Sequence, residues 1–383
     1  MPLPRLLPAV LCASALAGCV ESPFSDSSPA SDSLPENGNP STVGVGSHPV
    51  ADASKSVNPH PPTTETTTHD ASQPLNFIII GDAGTQDLVQ MALGQTIAEV
   101  CAAKASEANA GCHFAMAAGD NIYYIGALLP NDPQFLTAFE LVYEPVDIPF
   151  YLVLGNHDNG ATGQSENLGD LQVEYHYRSG RPSDNWNMPA RYYSHRWGEV
   201  LELFAIDSDT IDGDLDGGAN PIALRDYDDA FQREWLNQAL DLSPARWKIS
   251  MSHYNYISNG NYGDGSPSFK QALEDSLCNR VQFHVQGHEH DLRWLKSVES
   301  CGRTEFIVSG AGGRTETRPA SNLGFEEREG QNGLSTYRAS SGFMWASILG
   351  DSIRVEWYGD NAEGLNPPEP VEIFELTRQE LGW

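Results

Sequence analysis

Phe114-Ala115-Met116-Ala117-Ala118-Gly119-Asp120-Asn121-Ile122-Tyr123 is the stretch around which this chain is organised. Its first five residues form an apolar run of strand length and read as a buried strand. A strand that ends in Gly-Asp sets a carboxylate at the carboxyl edge of a sheet, where open α/β sheets build their sites. Asp120 has one oxygen to offer each of two cations. Tyr123 has a phenol that becomes a ligand only by losing a proton near pKa ~10, which a strongly acidic metal promotes. Taken alone, Gly-Asp-Asn is more often a plain turn. The other strand ends decide between the two readings.

The chain has 383 residues, 40% of them hydrophobic, and a formal net charge of −30. That length suits one large domain or two ordinary ones, with a substantial core. The acidic balance argues against nucleic acid or an anionic lipid surface as an electrostatic partner. An anionic substrate would need a local positive charge, which bound cations supply. Residues 1–18 read as an export signal, with Arg5 before an apolar run that is too short, and too interrupted by Pro8, to span a bilayer. Leu16-Ala17-Gly18-Cys19 resembles the bacterial lipobox. It predicts lipid on Cys19, a membrane anchor and a place in the cell envelope. An ordinary secretory signal cut near Ala17 or Gly18 is the alternative. Residues 19–73 are rich in Ser, Pro, Thr, Asn and Asp and read as a disordered tether, with His48, His60 and His69 as solvated tail histidines. A single folded domain is expected over 74–383. Within it, Cys101 with Cys112 and Cys278 with Cys301 each bracket one connection and could close a local disulfide, in keeping with export; free buried thiols are the alternative.

The domain opens with Leu75-Asn76-Phe77-Ile78-Ile79-Ile80-Gly81-Asp82, a second buried strand ending in Gly-Asp. Apolar residues at helical spacing over 88–105 lead into the Phe114 strand, which makes a βαβ unit. Phe150-Tyr151-Leu152-Val153-Leu154 is a third strand and ends in Gly155-Asn156-His157-Asp158. Strands over 193–197 and 200–207 pair around a turn at Gly198. The acidic, Gly-rich stretch 207–218 lacks the spacing of an EF-hand loop. A helix over 226–242 shares one face among Phe231, Trp235, Leu236, Ala239 and Leu240. The strand over 247–252 ends at His253, and the strand over 281–286 ends in Gly287-His288-Glu289-His290-Asp291. After a strand over 306–310 comes a Gly/Arg-rich loop, then an antiparallel meander over 343–357 and 371–376.

Five strand ends therefore carry Asp82; Asp120 and Tyr123; Asn156 and His157; His253; and His288 with His290. Hard oxygen donors mixed with imidazoles suit iron, manganese or zinc better than calcium or copper. Each cluster alone could be a turn or a core histidine. Five in succession, each directly after a β-run, point to a metal site.

Asp-x-Gly, Gly-Asp-x-x-Tyr, Gly-Asn-His-Asp, a strand-end His and Gly-His-x-His occur here in that order. The pattern resembles the calcineurin-like metallophosphoesterases, and within them the purple acid phosphatases of the small, tartrate-resistant type. The stretches around residues 188–193 and Trp235-Leu236 are similar to the bacterial lipoprotein branch. The resemblance covers residues 76–357. It implies an α/β fold, a four-layer αββα sandwich of two mixed β-sheets flanked by helices, with the site at the strand ends. It implies a ferric ion held by Asp82, Tyr123 and His290, and a divalent ion (Fe, Zn or Mn) held by Asn156, His253 and His288. Asp120 bridges the two, and His157 contacts the phosphoryl group without holding a metal. The implied activity is hydrolysis of phosphomonoesters by metal-activated water, persisting into acid; a phosphodiesterase with the same centre and a non-catalytic surface lipoprotein are the alternatives. The implied substrate is a small phosphate ester. In one place the chain departs from the family: Tyr262 stands where a second His follows the strand-end His. The general acid is then Tyr262, or the enzyme prefers good leaving groups. Arg293, Arg314 and Arg318 read as surface or helix-pairing arginines more readily than as phosphate clamps. Asp158 and Asp291 read equally as turn caps and as acceptors that orient neighbouring imidazoles.

Overall fold

Alternating buried strands and helices assemble into two mixed β-sheets flanked by helices in a computed structural model, as the family resemblance implies. The structure describes residues 62–160, 168–211, 229–315, 324–338, 341–361 and 364–383. The export signal, Cys19, His48, His60, most of the tether, most of the acidic stretch, the start of the 226–242 helix and Arg318 lie outside the described residues.

The first sheet is built on parallel strands β2 (Leu75–Ile80), β3 (Phe114–Ala117) and β4 (Phe150–Leu152), with the short β5 (Trp186–Asn187) beyond them. Antiparallel β13 (Gly342–Leu349), β14 (Ser352–Gly359) and β15 (Glu372–Thr377) extend it from β2, forming the expected meander. Helix α1 (Leu88–Lys104) crosses from β2 to β3. It starts on Asp87, whose side chain accepts from Gln90 N, and buries Leu93, Ile97 and Val100. The Cys101–Cys112 disulfide ties its end to the start of β3.

In the second sheet, β6 (Tyr193–Trp197) and β7 (Leu201–Ala205) form the antiparallel pair turning at Gly198. Parallel to β7 run β8 (Trp247–Met251) and β9 (Phe283–Gln286), followed by β11 (Glu305–Ser309). Helices α2 (Asp229–Leu242) and α3 (Pro267–Ser276) belong to this half, and Leu236, Leu240, Phe269 and Leu273 join its satellite core. The Cys278–Cys301 disulfide closes the second local loop. The two sheets share one apolar core. Phe114 of β3 stacks on Trp197 of β6 with ring centroids 3.7 Å apart, and Ser309 Oγ of β11 donates to Ile79 O of β2 at 3.0 Å.

Two expectations need correction. The tether does not reach residue 73: Thr64–Thr67 is a strand, β1, which pairs in parallel with β6. Its residues are all exposed because it is a sheet edge, where polar side chains are the rule, and β-branched threonines suit a pleated strand. Thr64 and Thr67 bond Ser194 and His195, and His69 caps the segment by bonding Gln73 O. Arg293 is neither a surface residue nor on a helix. It is buried on β10 (Leu292–Leu295), between β11 and the short β12 (Thr336–Tyr337), and pairs with Asp291 and Glu327. A buried ion pair lets an arginine interrupt an apolar run without ending the strand, so that strand has no periodic signal.

Candidate metal centre

Both sheets point the carboxyl ends of their parallel strands to one rim. There β2, β3 and β4 deliver Asp82, Asp120, Tyr123, Asn156 and His157, while β8 and β9 deliver His253, His288 and His290. Ligand atoms of Asp82, Asp120 and His253 lie within 4.8 Å of one another. His253 Nε2 is 3.0 Å from Asn156 Oδ1, 3.3 Å from His288 Nδ1 and 3.5 Å from Asp120 Oδ1. His290 Nε2 and the Tyr123 hydroxyl approach Asp82 Oδ1 at 3.5 and 3.0 Å. The seven expected donors thus converge. Asp82 and Tyr123 with His290 gather on one side, Asn156 and His253 with His288 on the other, and Asp120 reaches toward His253.

The backbone is bent to achieve this. Asp82, Asp120 and His288 have φ of 56°, 53° and 66°, in the left-handed region that costs ordinary residues roughly 1–3 kcal/mol. The bends turn their backbone and side-chain groups inward: His288 N donates to Asp82 Oδ2 at 2.9 Å, and His157 N to Asp120 Oδ1 at 3.0 Å. Two glycines make the space. A Cβ on Gly155 would lie 2.2 Å from Asp120 Oδ1, and one on Gly119, itself at φ 86°, 2.6 Å from His253 Nδ1.

The charge balance tests whether metal fits. Asp82 and Asp120 are buried, and among the described residues no Lys or Arg pairs with either; their ionic neighbours are histidines. Two buried carboxylates facing one another at one rim call for a compensating cation or proton. Burial lowers the His253 pKa, but Asp120, Asp82, the Ala118 carbonyl and Asp209 outweigh it and push it up to about 9. A proton on His253 therefore serves as a weak substitute for a metal charge. Burial, with the Asp120 and Asp82 charges, drives the Tyr123 phenol well above its ordinary value, so only a strong local cation would ionise it. Burial, and the charge of His253, holds His288 well below the ordinary imidazole value, which favours the neutral ring that metals take. The donor set fits two hard or borderline cations.

The flanking candidates separate. His157 is tied by Nδ1 to Tyr124 O at 2.6 Å, with Nε2 3.9 Å from Asp120 Oδ2. Tyr262 reaches the same rim, its ring centroid 4.7 Å from that of His288 and 5.5 Å from that of His290. Arg314 lies over the rings of Tyr123 and Tyr124 at 5.0 and 5.5 Å. Asp158 is a cap: its carboxylate accepts from the backbone N–H groups of Asn121, Ile122 and Gly155 and from Gln172, so it knits two metal loops together and orients no imidazole. Asp291 takes Arg293 and Arg338 instead of a ring. Sequence reading missed the Asp170–Arg191–Asp207 chain behind Asn159, in which Arg191 and Asp207 are buried, since a charged residue in a polar loop gives no burial signal.

Comparison with known proteins gives the family and the fold. The family model described as calcineurin-like phosphoesterase matches residues 75–292, more than half of the chain. The chain is 26% identical over 261 residues to tartrate-resistant acid phosphatase type 5 of Sus scrofa, covering 65% of this chain and 73% of that one. Among solved structures it resembles GAP50, described as the anchor in the inner membrane complex of Plasmodium, with a TM-score of 0.60 and 16% identity over 79% of this chain and 89% of that one. It also resembles the purple acid phosphatase PPD1 from yellow lupin (Lupinus luteus) seeds, with a TM-score of 0.58 and 13% identity over 82% of this chain and 55% of that one.

Proposed function

The chain belongs to the calcineurin-like phosphoesterase family, and from that premise we propose that it is a metal-dependent acid phosphatase hydrolysing small phosphomonoesters. One observation carries the reading: two buried carboxylates, without a Lys or Arg partner among the described residues, converge with imidazoles at one sheet rim. The acid phosphatase relatives support it. In this proposal Asp82, Tyr123 and His290 would hold a ferric ion, Asn156, His253 and His288 would hold divalent iron, zinc or manganese, and Asp120 would serve both. When bound, two such cations neutralise the phosphate oxygens and acidify water.

The chain's own residues do the rest. His157, fixed by Tyr124 O, donates to the phosphoryl oxygens and stabilises their developing charge. Tyr262 supplies the proton that the leaving alkoxide needs. Residues 1–18 direct export, lipid on Cys19 anchors the protein to the envelope membrane, and nucleic acid is not a partner.

Metal analysis, with turnover of a phosphate-ester panel across pH, tests the proposal. Nitrophenyl phosphate should be cleaved faster than bis-nitrophenyl phosphate, and a visible phenolate-to-iron band should vanish in Tyr123→Phe. Metal-loaded protein that turns over no phosphate ester would leave the non-catalytic role. Faster cleavage of the diester would make it a phosphodiesterase, and a colourless active enzyme would remove iron alone.

A further inference from the structure

We propose that Glu289, between the two histidines of Gly287-His288-Glu289-His290, is a positioning residue that clamps the 258–263 loop and thereby sets Tyr262 over the site. His288 and His290 are directed at the metal rim, whereas Glu289 between them turns its carboxylate to the 258–263 loop. It is buried, and what its carboxylate meets is a neighbouring loop. It accepts from Ser258 Oγ at 2.6 Å and from the backbone N–H groups of Asn261, Tyr262 and Gly263 at 2.7, 2.8 and 3.1 Å. Ser258 Oγ in turn accepts from Gly260 N at 2.7 Å, which closes the loop on itself.

Three successive amides converging on one carboxylate form a charge-assisted clamp stronger than ordinary turn bonds. The approach is close: a Cβ on Gly260 would lie 1.9 Å from Glu289 Oε2. Tyr262 is 46% exposed, its ring meets His288 and His290 on one side, and its backbone N–H is held by Glu289. The consequence is a mechanical link. One residue joins the turn bearing two candidate metal ligands to the loop bearing the ring that covers them. A carboxylate suits this role because each oxygen accepts more than one N–H, whereas an amide at the same place would set its own N–H groups against those of the loop.

The kinetic part of this inference rests on the phosphatase reading; the structural part does not. Glu289→Gln and Gly260→Ala disturb the contact from opposite sides. Each is read by hydrogen exchange of the 258–263 amides, by metal content, and by kcat and KM for an alkyl phosphate. Exchange at Asn261, Tyr262 and Gly263 should quicken about tenfold or more in both variants, with β8 and β9 unchanged. Metal content should match the parent, and kcat/KM should fall about tenfold. In a Tyr262→Ala background, Glu289→Gln should cost less than about twofold further, because the loop's contribution is already gone. Unchanged exchange in both variants overturns the clamp, as does a Glu289→Gln effect that multiplies fully with Tyr262→Ala. Metal loss in Glu289→Gln equal to that of His288→Ala also overturns it, since Glu289 would then act through the ligands. If Glu289→Gln fails to fold, Gly260→Ala decides. A parent that cleaves no phosphate ester defeats the phosphatase reading while exchange still judges the clamp.

Discussion

His284 sets a limit on how far into acid this protein stays folded. It is buried in the middle of β9, its Nδ1 2.9 Å from Ser250 Oγ and its Nε2 3.0 Å from Ser252 Oγ. Burial pushes its pKa down to about 3, against ~6.5 in an unfolded chain. Between those values protons bind the unfolded chain and not the fold. The stabilisation from a neutral His284 is therefore whole above pH ~6.5 and is lost as pH falls toward 3. At pH 5 the unfolded side chain is about 97% protonated, and the linkage amounts to about 2 kcal/mol; near pH 3 it approaches about 5 kcal/mol. That is a sizeable share of the 5–15 kcal/mol that roughly bounds ordinary domains. His284→Gln keeps a polar group between the serines and removes the titration. Urea unfolding followed by tryptophan fluorescence at pH 7 and pH 5 measures it. The parent should lose about 2 kcal/mol more than the variant over that interval, whatever the variant's own cost at pH 7. Equal losses in the two proteins, within about 0.5 kcal/mol, would refute the assignment of a neutral buried imidazole. If the parent shows the larger loss, a catalytic optimum in acid sits on a fold that is already weakening.

Other expectations follow from the site. Asp120→Ala should abolish metal binding and turnover together, whereas His157→Ala should retain metal and lose about 10²-fold in kcat, as metal analysis beside kinetics would read. Gly155→Ala forces a methyl to within 2.2 Å of Asp120 Oδ1; it should lower metal occupancy while leaving the far-ultraviolet circular dichroism unchanged. Asp158→Ala strands three buried N–H groups of two metal loops and should cost about 3 kcal/mol or more in denaturant unfolding. Tyr262→Phe should slow alkyl phosphates far more than nitrophenyl phosphate, because only the poorer leaving group needs its proton.

The donors were legible because each follows a local pattern: an apolar run of strand length, then Gly or Ser, then a ligand-bearing residue. The unbroken apolar runs over 75–80 and 114–117 are local signals, so Asp82 and Asp120 could be placed at strand ends from the sequence pattern alone. The two disulfides close short loops and were readable in the same way. What long-range contact decides was hidden. Thr64–Thr67 became a strand only because β6 offered it a free edge. Arg293 went inside only because Asp291 and Glu327 were waiting there. Asp158 looked equally like a cap and an orienter until the amides of Asn121 and Ile122 arrived from another loop. The left-handed bends at Asp82, Asp120 and His288, and the loop that Glu289 grips, carry no mark in the residues beside them. Sequence pattern chose which side chains reach the rim, since strand and turn formation are local. Tertiary structure chose how those side chains face one another, since that depends on groups far apart in the chain whose burial and hydrogen bonds must be satisfied together.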